Sequence, residues 1–154
     1  MGRRSRHRIL AVASAGGHWV QLARLSEAFE GSDALYVTTV AGQIAPSGDR
    51  AVAKISDGSR NEPWRLLAAG LQLGLLMLRF RPHAVITTGA APGYVALRLG
   101  KLLGCRTVWL DSIANAEELS MSARLARRHA DLWLTQWEDL SRKTPGLDYW
   151  GQVL

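Results

Sequence analysis

The sequence predicts an α/β fold in which one parallel sheet carries helices on both of its faces. Two observations favour this arrangement: short, nearly continuous apolar runs alternate with helical segments, and glycine-rich turns follow several of these runs. The predicted strands are Ile9–Ser14, Ala34–Thr38, Ala51–Ile55, Ala84–Thr88, Thr107–Asp111 and Asp131–Thr135. The predicted helices are Trp19–Phe29, Trp64–Arg79, Gly93–Leu103 and Ser122–His129. Ligands of such sheets bind beyond the carboxyl ends of the strands, which is where the glycine turns fall.

The composition fits one globular domain. The chain has 154 residues, 47% of them hydrophobic, and its mean hydropathy is -0.03. A chain of this size and character buries a sizeable core, so we predict a basic tail over residues 1–8 and a single domain over residues 9–154. The single cysteine, Cys105, excludes an internal disulfide and favours a reducing compartment.

The positive charge is concentrated at the start of the chain. Four charges of the formal +6 come from Arg3, Arg4, Arg6 and Arg8. No second basic stripe with interleaved aromatic residues follows, so the sequence does not indicate nucleic-acid binding. Two interpretations of the arginine cluster stay open, a solvated tail and a contact with anionic lipid.

The first predicted strand leads into a turn suited to an anion. Ile9–Ser14 is followed by Ala15, Gly16, Gly17 and His18, and a helix is predicted to begin near Trp19. A glycine turn at a helix start presents unpaired N–H groups and the positive end of the helix dipole. This pattern predicts a phosphate or diphosphate site at Gly16 and Gly17.

A less regular stretch follows the second predicted strand and surrounds the third. Ala34–Thr38 is a short apolar strand, whereas residues 42–60 contain Pro46, Gly48, Asp57 and Gly58 around the short strand Ala51–Ile55. This is turn chemistry. Two interpretations are open: a loop that orders on binding, and a mobile surface loop without a role.

The helix Trp64–Arg79 is the most hydrophobic segment of the chain. It carries no charge from Leu66 to Leu78, which is too short for an unaided bilayer span. A helix that is apolar on nearly every side must bury more than one face. We predict a membrane-surface helix, with association residues Trp64, Arg65, Leu71, Leu75 and Arg79; the alternative is an ordinary core helix.

Three motifs in order resemble one family. They are Ser14–His18, the run Thr87–Gly93, and Ala130–Trp137 with the sequence ADLWLTQW. Together they resemble the acceptor-binding half of family-28-type GT-B glycosyltransferases. The likeness is greatest to small membrane-associated subunits of split enzymes. These include the oligosaccharide-biosynthesis subunit of the dolichol-linked N-acetylglucosaminyltransferase and bacterial exopolysaccharide glucuronosyl- or galactosyltransferase subunits.

The resemblance implies a Rossmann-like domain equivalent to the N-terminal half of a GT-B enzyme. It implies an acceptor-binding, membrane-anchoring subunit that needs a donor-domain partner to supply the nucleotide sugar. The acceptor would be a polyprenyl-diphosphate-linked saccharide, and the site would lie on the cytoplasmic face of the plasma membrane. Tyr149–Leu154 resembles the last strand and glycine of such a domain, after which single-chain relatives continue into the donor domain.

Several residues are candidates for this site. We predict catalytic roles for His18 and Asp111, and no cofactor. We also predict no metal, because the other histidines, His7, His83 and His129, do not form a metal-ligand spacing with Cys105. His18 can act as a general base, contact a phosphate, or only start a helix; Asp111 can handle a proton, orient the sugar, or cap a turn. The predicted acceptor and diphosphate contacts are Gly16, Gly17, His18, Gly89, Ala90, Gly93 and Asn115.

Two other functions fit parts of the pattern. One is a nucleotide- or dinucleotide-binding domain of an oxidoreductase, although the first turn lacks the G-x-G-x-x-G spacing. The second predicted strand of this chain also leads into Val37, Thr38 and Thr39 rather than into the acidic residue that binds a ribose in such domains. The other is a scaffold without site residues.

Overall fold

The protein is a seven-stranded parallel α/β domain, seen in a computed structural model that describes residues 6–46 and 50–153. The strand order in the described chain is β3-β2-β1-β4-β5-β6-β7, and every pairing is parallel. The strands are β1 Arg8–Val12, β2 Asp33–Thr38, β3 Val52–Lys54, β4 Ala84–Thr87, β5 Arg106–Leu110, β6 Leu132–Thr135 and β7 Asp148–Tyr149. The helices are α1 Gly17–Arg24, α2 Pro63–Phe80, α3 Ala90–Leu102, α4 Met121–Ala126 and α5 Glu138–Lys143, with a 3₁₀ turn over Ser26–Phe29.

The sheet separates two hydrophobic cores, because successive side chains of β1 point to opposite faces. Leu10 and Val12 are fully buried beneath α2 and α3. Ile9 and Ala11 pack on the other face, where α1 contributes Trp19. The strand β1 therefore lies in the interior of the sheet, between β2 and β4, and is covered on both faces.

The ends of several predicted elements are wrong. The first helix ends at Arg24, and only a 3₁₀ turn continues to Phe29. The helix α3 begins at Ala90, three residues before the predicted Gly93, because Pro92 falls in the first turn, where its missing N–H costs nothing. The helix α4 spans Met121–Ala126 instead of Ser122–His129, because Ser120 caps it by accepting the N–H of Ala123 at 3.0 Å.

The first strand begins within the range predicted as a basic tail. Arg8 belongs to β1, and its guanidinium donates a hydrogen bond to the carbonyl of Arg81 at 2.7 Å. Arg3 and Arg4 lie outside the described residues. Arg8 is therefore part of the folded domain and not of the predicted tail.

Candidate functional site

Three loops meet at the carboxyl edge of the sheet, beyond β1, β4 and β5. The strand order reverses between β1 and β4, since β1 leads to β2 on one side and β4 leads to β5 on the other. Such a switch point opens a crevice where ligands bind in α/β proteins. An open pocket of about 280 Å³ lies at this edge, lined by His18, Ala90, Ser112, Ala114, Asn115, Ser120, Met121 and Ser122.

The imidazole of His18 is held by the loop after β4. Its Nδ1 lies 2.8 Å from the carbonyl oxygen of Thr88, and the hydroxyl of Thr88 donates to the carbonyl of His18 at 2.7 Å. A carbonyl can only accept, so Nδ1 carries the proton in this bond. In the neutral ring the lone pair is then on Nε2, which suits this nitrogen to accept a proton or to contact a ligand.

The turn after β1 is open to solvent. Gly16 has a φ of 67° and caps α1, which begins at Gly17, and both glycines are exposed. A methyl group at either position would meet no atom within 4 Å. The first-turn N–H groups of a helix have no partner within the helix, and α1 starts directly before His18, which lines the pocket. The anion contacts of Gly16 and Gly17 stay a prediction.

The turn after β4 differs from the predicted cradle. Ala90, with a φ of 65°, lines the pocket, whereas Gly89 is buried and its N–H donates to the hydroxyl of Thr87 at 3.2 Å. Gly93 is buried within α3, and a Cβ there would lie 2.1 Å from the Thr87 hydroxyl oxygen. Gly93 thus has a packing role, because only glycine lets α3 approach β4 so closely, and its anion contact stays a prediction.

Asp111 organises the loop that borders the pocket. Its side chain is only 1% exposed, and it accepts hydrogen bonds from Asn115 Nδ2 at 3.0 Å, Ser120 N at 3.1 Å and Ser120 Oγ at 2.8 Å. Asn115 and Ser120 line the pocket, but Asp111 does not. This geometry is that of a residue that shapes the loop from beneath, and a direct catalytic role for Asp111 stays a prediction.

Two buried glutamines support the pocket loop, and neither was predicted from the sequence. Gln21 and Gln136 are 5% and 0% exposed, and their amides are hydrogen-bonded to each other. The only sequence signal is a polar residue one turn after His18 on an otherwise packed helix face, together with a glutamine directly after β6. Neither pattern predicts that the two side chains meet.

The helix α2 presents an apolar outer face. Ala69, Leu73 and Met77 are buried against the sheet, whereas the side chains at i, i+4 and i+3 spacing on the opposite face are exposed. The exposed apolar residues, which we name the α2 stripe, are Trp64, Leu67, Leu71, Leu75 and Leu78. Among the described residues, no helix combines the length and apolar character needed to cross a bilayer.

The predicted cations border this stripe. Arg65 and Arg79 are both exposed, and the Arg65 guanidinium lies 3.4 Å from the Glu62 carboxylate. The five residues predicted for membrane association therefore all lie at the protein surface.

In the part of the chain that the structure describes, no group of three His, Cys, Asp or Glu side chains is arranged to hold a metal ion.

The fold and the pocket at the switch point define a Rossmann-like domain of the kind that forms half of a GT-B glycosyltransferase. MurG from Acinetobacter baumannii superposes with a TM-score of 0.71 at 16% identity, over 94% of this chain and 45% of that protein. A UDP-GlcNAc 2-epimerase from Neisseria meningitidis has the same TM-score at 11% identity, over 95% of this chain and 47% of the epimerase. At these identities the likeness is one of fold.

The chain belongs to the family described as oligosaccharide biosynthesis protein Alg14 like, which matches residues 54–153. The mouse UDP-N-acetylglucosamine transferase subunit ALG14 is 32% identical over 85 residues, which cover 51% of this chain and 39% of the mouse protein. The subunit of the same name from Eremothecium gossypii is 34% identical over 79 residues, covering 47% of this chain and 35% of that protein. The aligned parts thus span less than half of these relatives. The family match favours the glycosyltransferase interpretation over the dinucleotide-binding one.

Proposed function

We propose that this chain is the acceptor-binding subunit of a heteromeric glycosyltransferase. A partner subunit with a nucleotide-sugar site would close over the carboxyl edge of the sheet. The complex would transfer a sugar, N-acetylglucosamine as the first candidate, to a polyprenyl-diphosphate-linked saccharide. The pocket between His18 and Asn115 carries this proposal, since it lies at the switch point of a fold that corresponds to about half of MurG.

The diphosphate of the acceptor would bind at the turn after β1. Gly16 and Gly17 are exposed at the positive end of α1, directly before His18, so their N–H groups would be the donors to the diphosphate. Ala90 and the Asn115 amide would border the saccharide. None of the described residues that line the pocket is a carboxylate, which suits an anionic ligand.

His18 is the proposed general base. Its Nδ1–H is committed to the carbonyl of Thr88, so Nε2 is the nitrogen that would take the proton from the acceptor hydroxyl. A phosphate contact through the same nitrogen is the competing role. Asp111 would act indirectly, through the positions of Asn115 and Ser120.

The lipid part of the acceptor would leave the pocket toward α2. Met121 lines the pocket, and its thioether contacts the guanidinium of Arg60, three residues before the start of α2. Among the described residues, Arg60 has no carboxylate within ion-pair distance, so its charge is available to an anionic group. Beyond it, the α2 stripe begins at Trp64, which is 81% exposed.

The α2 stripe would rest in the membrane interface. Four exposed leucines on one helix face bury apolar area if they enter the acyl boundary, while Arg65 and Arg79 reach the headgroups. The chain would then be a peripheral protein on the cytoplasmic face of the plasma membrane, in polysaccharide or lipid-linked oligosaccharide biosynthesis.

The test is a reconstitution of sugar transfer. Membrane vesicles that contain polyprenyl-diphosphate saccharides are incubated with labelled UDP-GlcNAc, UDP-glucuronate or UDP-galactose, together with this chain, its candidate donor-domain partner, or both. We expect labelled lipid only with both proteins. Full transfer by the partner alone would reduce this chain to an anchor, and no transfer with any combination would overturn the proposal.

A further inference from the structure

A buried pair of amides links the pocket loop to the last described residues of the chain. Gln21 Oε1 accepts hydrogen bonds from Ile113 N at 3.1 Å and from Gln136 Nε2, and Gln21 Nε2 donates to Ser112 Oγ at 3.2 Å. Gln136 Nε2 also donates to the carbonyl of Asp111 at 3.0 Å, and Gln136 Oε1 accepts the N–H of Val153 at 2.8 Å. Gln21 is one turn beyond His18 on α1, and Gln136 directly follows β6. The pair therefore connects α1, the end of β6, the pocket loop at residues 111–113, and Val153.

The orientation of both amides is fixed by backbone groups. The carbonyl of Asp111 can only accept, and the N–H groups of Ile113 and Val153 can only donate. The oxygen and the nitrogen of each side-chain amide are therefore assigned unambiguously. Both hydrogens of Gln136 Nε2 take part in hydrogen bonds. If the N–H of Val153 is withdrawn, Gln136 loses the partner that orients its oxygen, and a buried acceptor is left without a hydrogen bond.

We infer that Gln136 couples the segment 150–153 to the acceptor pocket, with Gln21 as the second positioning residue. When the segment is docked, Gln136 and Gln21 hold Asp111, Ser112 and Ile113 in place, and Ser112 itself lines the pocket. When the segment leaves, this loop loosens and the pocket loses its shape. The segment is well placed to respond to another molecule, because its first residue, Trp150, is 73% exposed, whereas Gln136 is fully buried.

A single backbone change tests the coupling. Val153→Pro removes the N–H that Gln136 accepts and also restricts the backbone of residues 152 and 153. Gln152→Pro is the matched control, since it places the same ring one residue earlier, where the N–H has no hydrogen bond among the described residues. Hydrogen–deuterium exchange is measured on the full chain for peptides covering residues 111–120 and for peptides covering β1. We expect Val153→Pro and Gln136→Leu to speed exchange at residues 112–115 about fivefold or more, with β1 unchanged, because one buried hydrogen bond is lost. Gln152→Pro should match the wild type.

The kinetic arm of the test rests on the proposed function. In the reconstituted complex, Val153→Pro should raise the KM for the lipid-linked acceptor about fivefold or more and leave the KM for the nucleotide sugar within about twofold, because only the acceptor loop loosens. Unchanged exchange at residues 112–115 in Val153→Pro, or equal acceleration in β1, would overturn the coupling. A wild-type complex that transfers no sugar would overturn the proposed function instead, and the exchange result would still decide the coupling.

Discussion

The imidazole of His18 lies directly on the backbone of Gly89. A Cβ built on Gly89 would be 2.7 Å from Cε1 and 2.8 Å from Nδ1 of the ring. The same loop supplies the Thr88 carbonyl that holds Nδ1. The proposed base can therefore occupy this position only because Gly89, in the turn after β4, has no side chain.

Gly89→Ala should displace the His18 ring. The new methyl group overlaps the imidazole, and a φ of 129° is unfavourable for alanine, so we expect a loss of about 1 to 3 kcal/mol in the free energy of unfolding. Sugar transfer by the complex should fall at least about tenfold, because a misplaced base is costly. Urea unfolding and the transfer assay measure both effects.

Gly74→Ala is the matched control for that substitution. A Cβ on Gly74 meets no atom within 4 Å, and the residue is in the interior of α2. Alanine should therefore stabilise the helix by roughly 0.5 to 1 kcal/mol and leave transfer intact. Equal activity of Gly89→Ala and the wild type would contradict the placement of His18 on Gly89.

His18→Gln and His18→Ala distinguish the two roles of the histidine. A general base predicts that both variants lower kcat about 10²- to 10⁴-fold, since an amide cannot take the proton. His7→Gln, at an exposed position away from the pocket, should have wild-type kinetics. Recovery of most of the rate by His18→Gln, with the loss confined to the acceptor KM, would instead assign a phosphate contact.

The central fold could be predicted because its signals are local. All six predicted strands are present, since each is a short apolar run bounded by turn residues, and the turn at Gly16 follows directly from two adjacent glycines. The start of α3 was predicted three residues late, at Gly93, although a proline in the first turn, here Pro92, is compatible with a helix. The helix α5 was missed because six residues carry too little periodicity to be recognised.

The polar architecture of the site could not be predicted in the same way. Gln21 and Gln136 are 115 positions apart, and nothing in either local pattern indicates the other. Asp111 was correctly placed at the end of β5, but its three hydrogen bonds depend on how the loop to Ser120 folds back. Sequence periodicity reports which faces are buried, and it does not report which polar groups meet there.

The α2 stripe should bind vesicles through its leucines. Replacing Leu71 and Leu75 together by glutamate should lower binding to liposomes about 100-fold or more, because each leucine contributes roughly 1.5 to 3 kcal/mol when it leaves water. Both side chains are exposed, at 64% and 70%, so the fold should be unaffected. Co-sedimentation with liposomes measures the partition.

Ile44→Glu is the control for that pair. Ile44 is 76% exposed, and the adjacent Ala45 packs with the core on the α1 face of the sheet, opposite α2. This substitution adds charge to an exposed apolar site without touching the stripe, and binding should be unchanged. Equal binding by the wild type and the double glutamate variant would show that the α2 stripe does not mediate membrane binding.

Asp131 predicts a specific dependence of stability on pH. The Lys101 ammonium beside it and the N–H and hydroxyl of Thr107 hold the pKa of the Asp131 carboxyl below its usual range, against the opposing effect of burial. A carboxyl with a depressed pKa stabilises the folded state fully above its unfolded pKa of about 3.9, and this contribution is lost as the pH falls through the lower folded value. Because the ion pair is partly exposed and screened by solvent, Asp131→Asn should cost only about 0.5 to 1 kcal/mol at pH 7, and the difference from the wild type should shrink steadily below about pH 4. Urea unfolding of both proteins from pH 7 to pH 3 measures this convergence, and a difference that is constant over that range would show that the charge of Asp131 does not stabilise the fold.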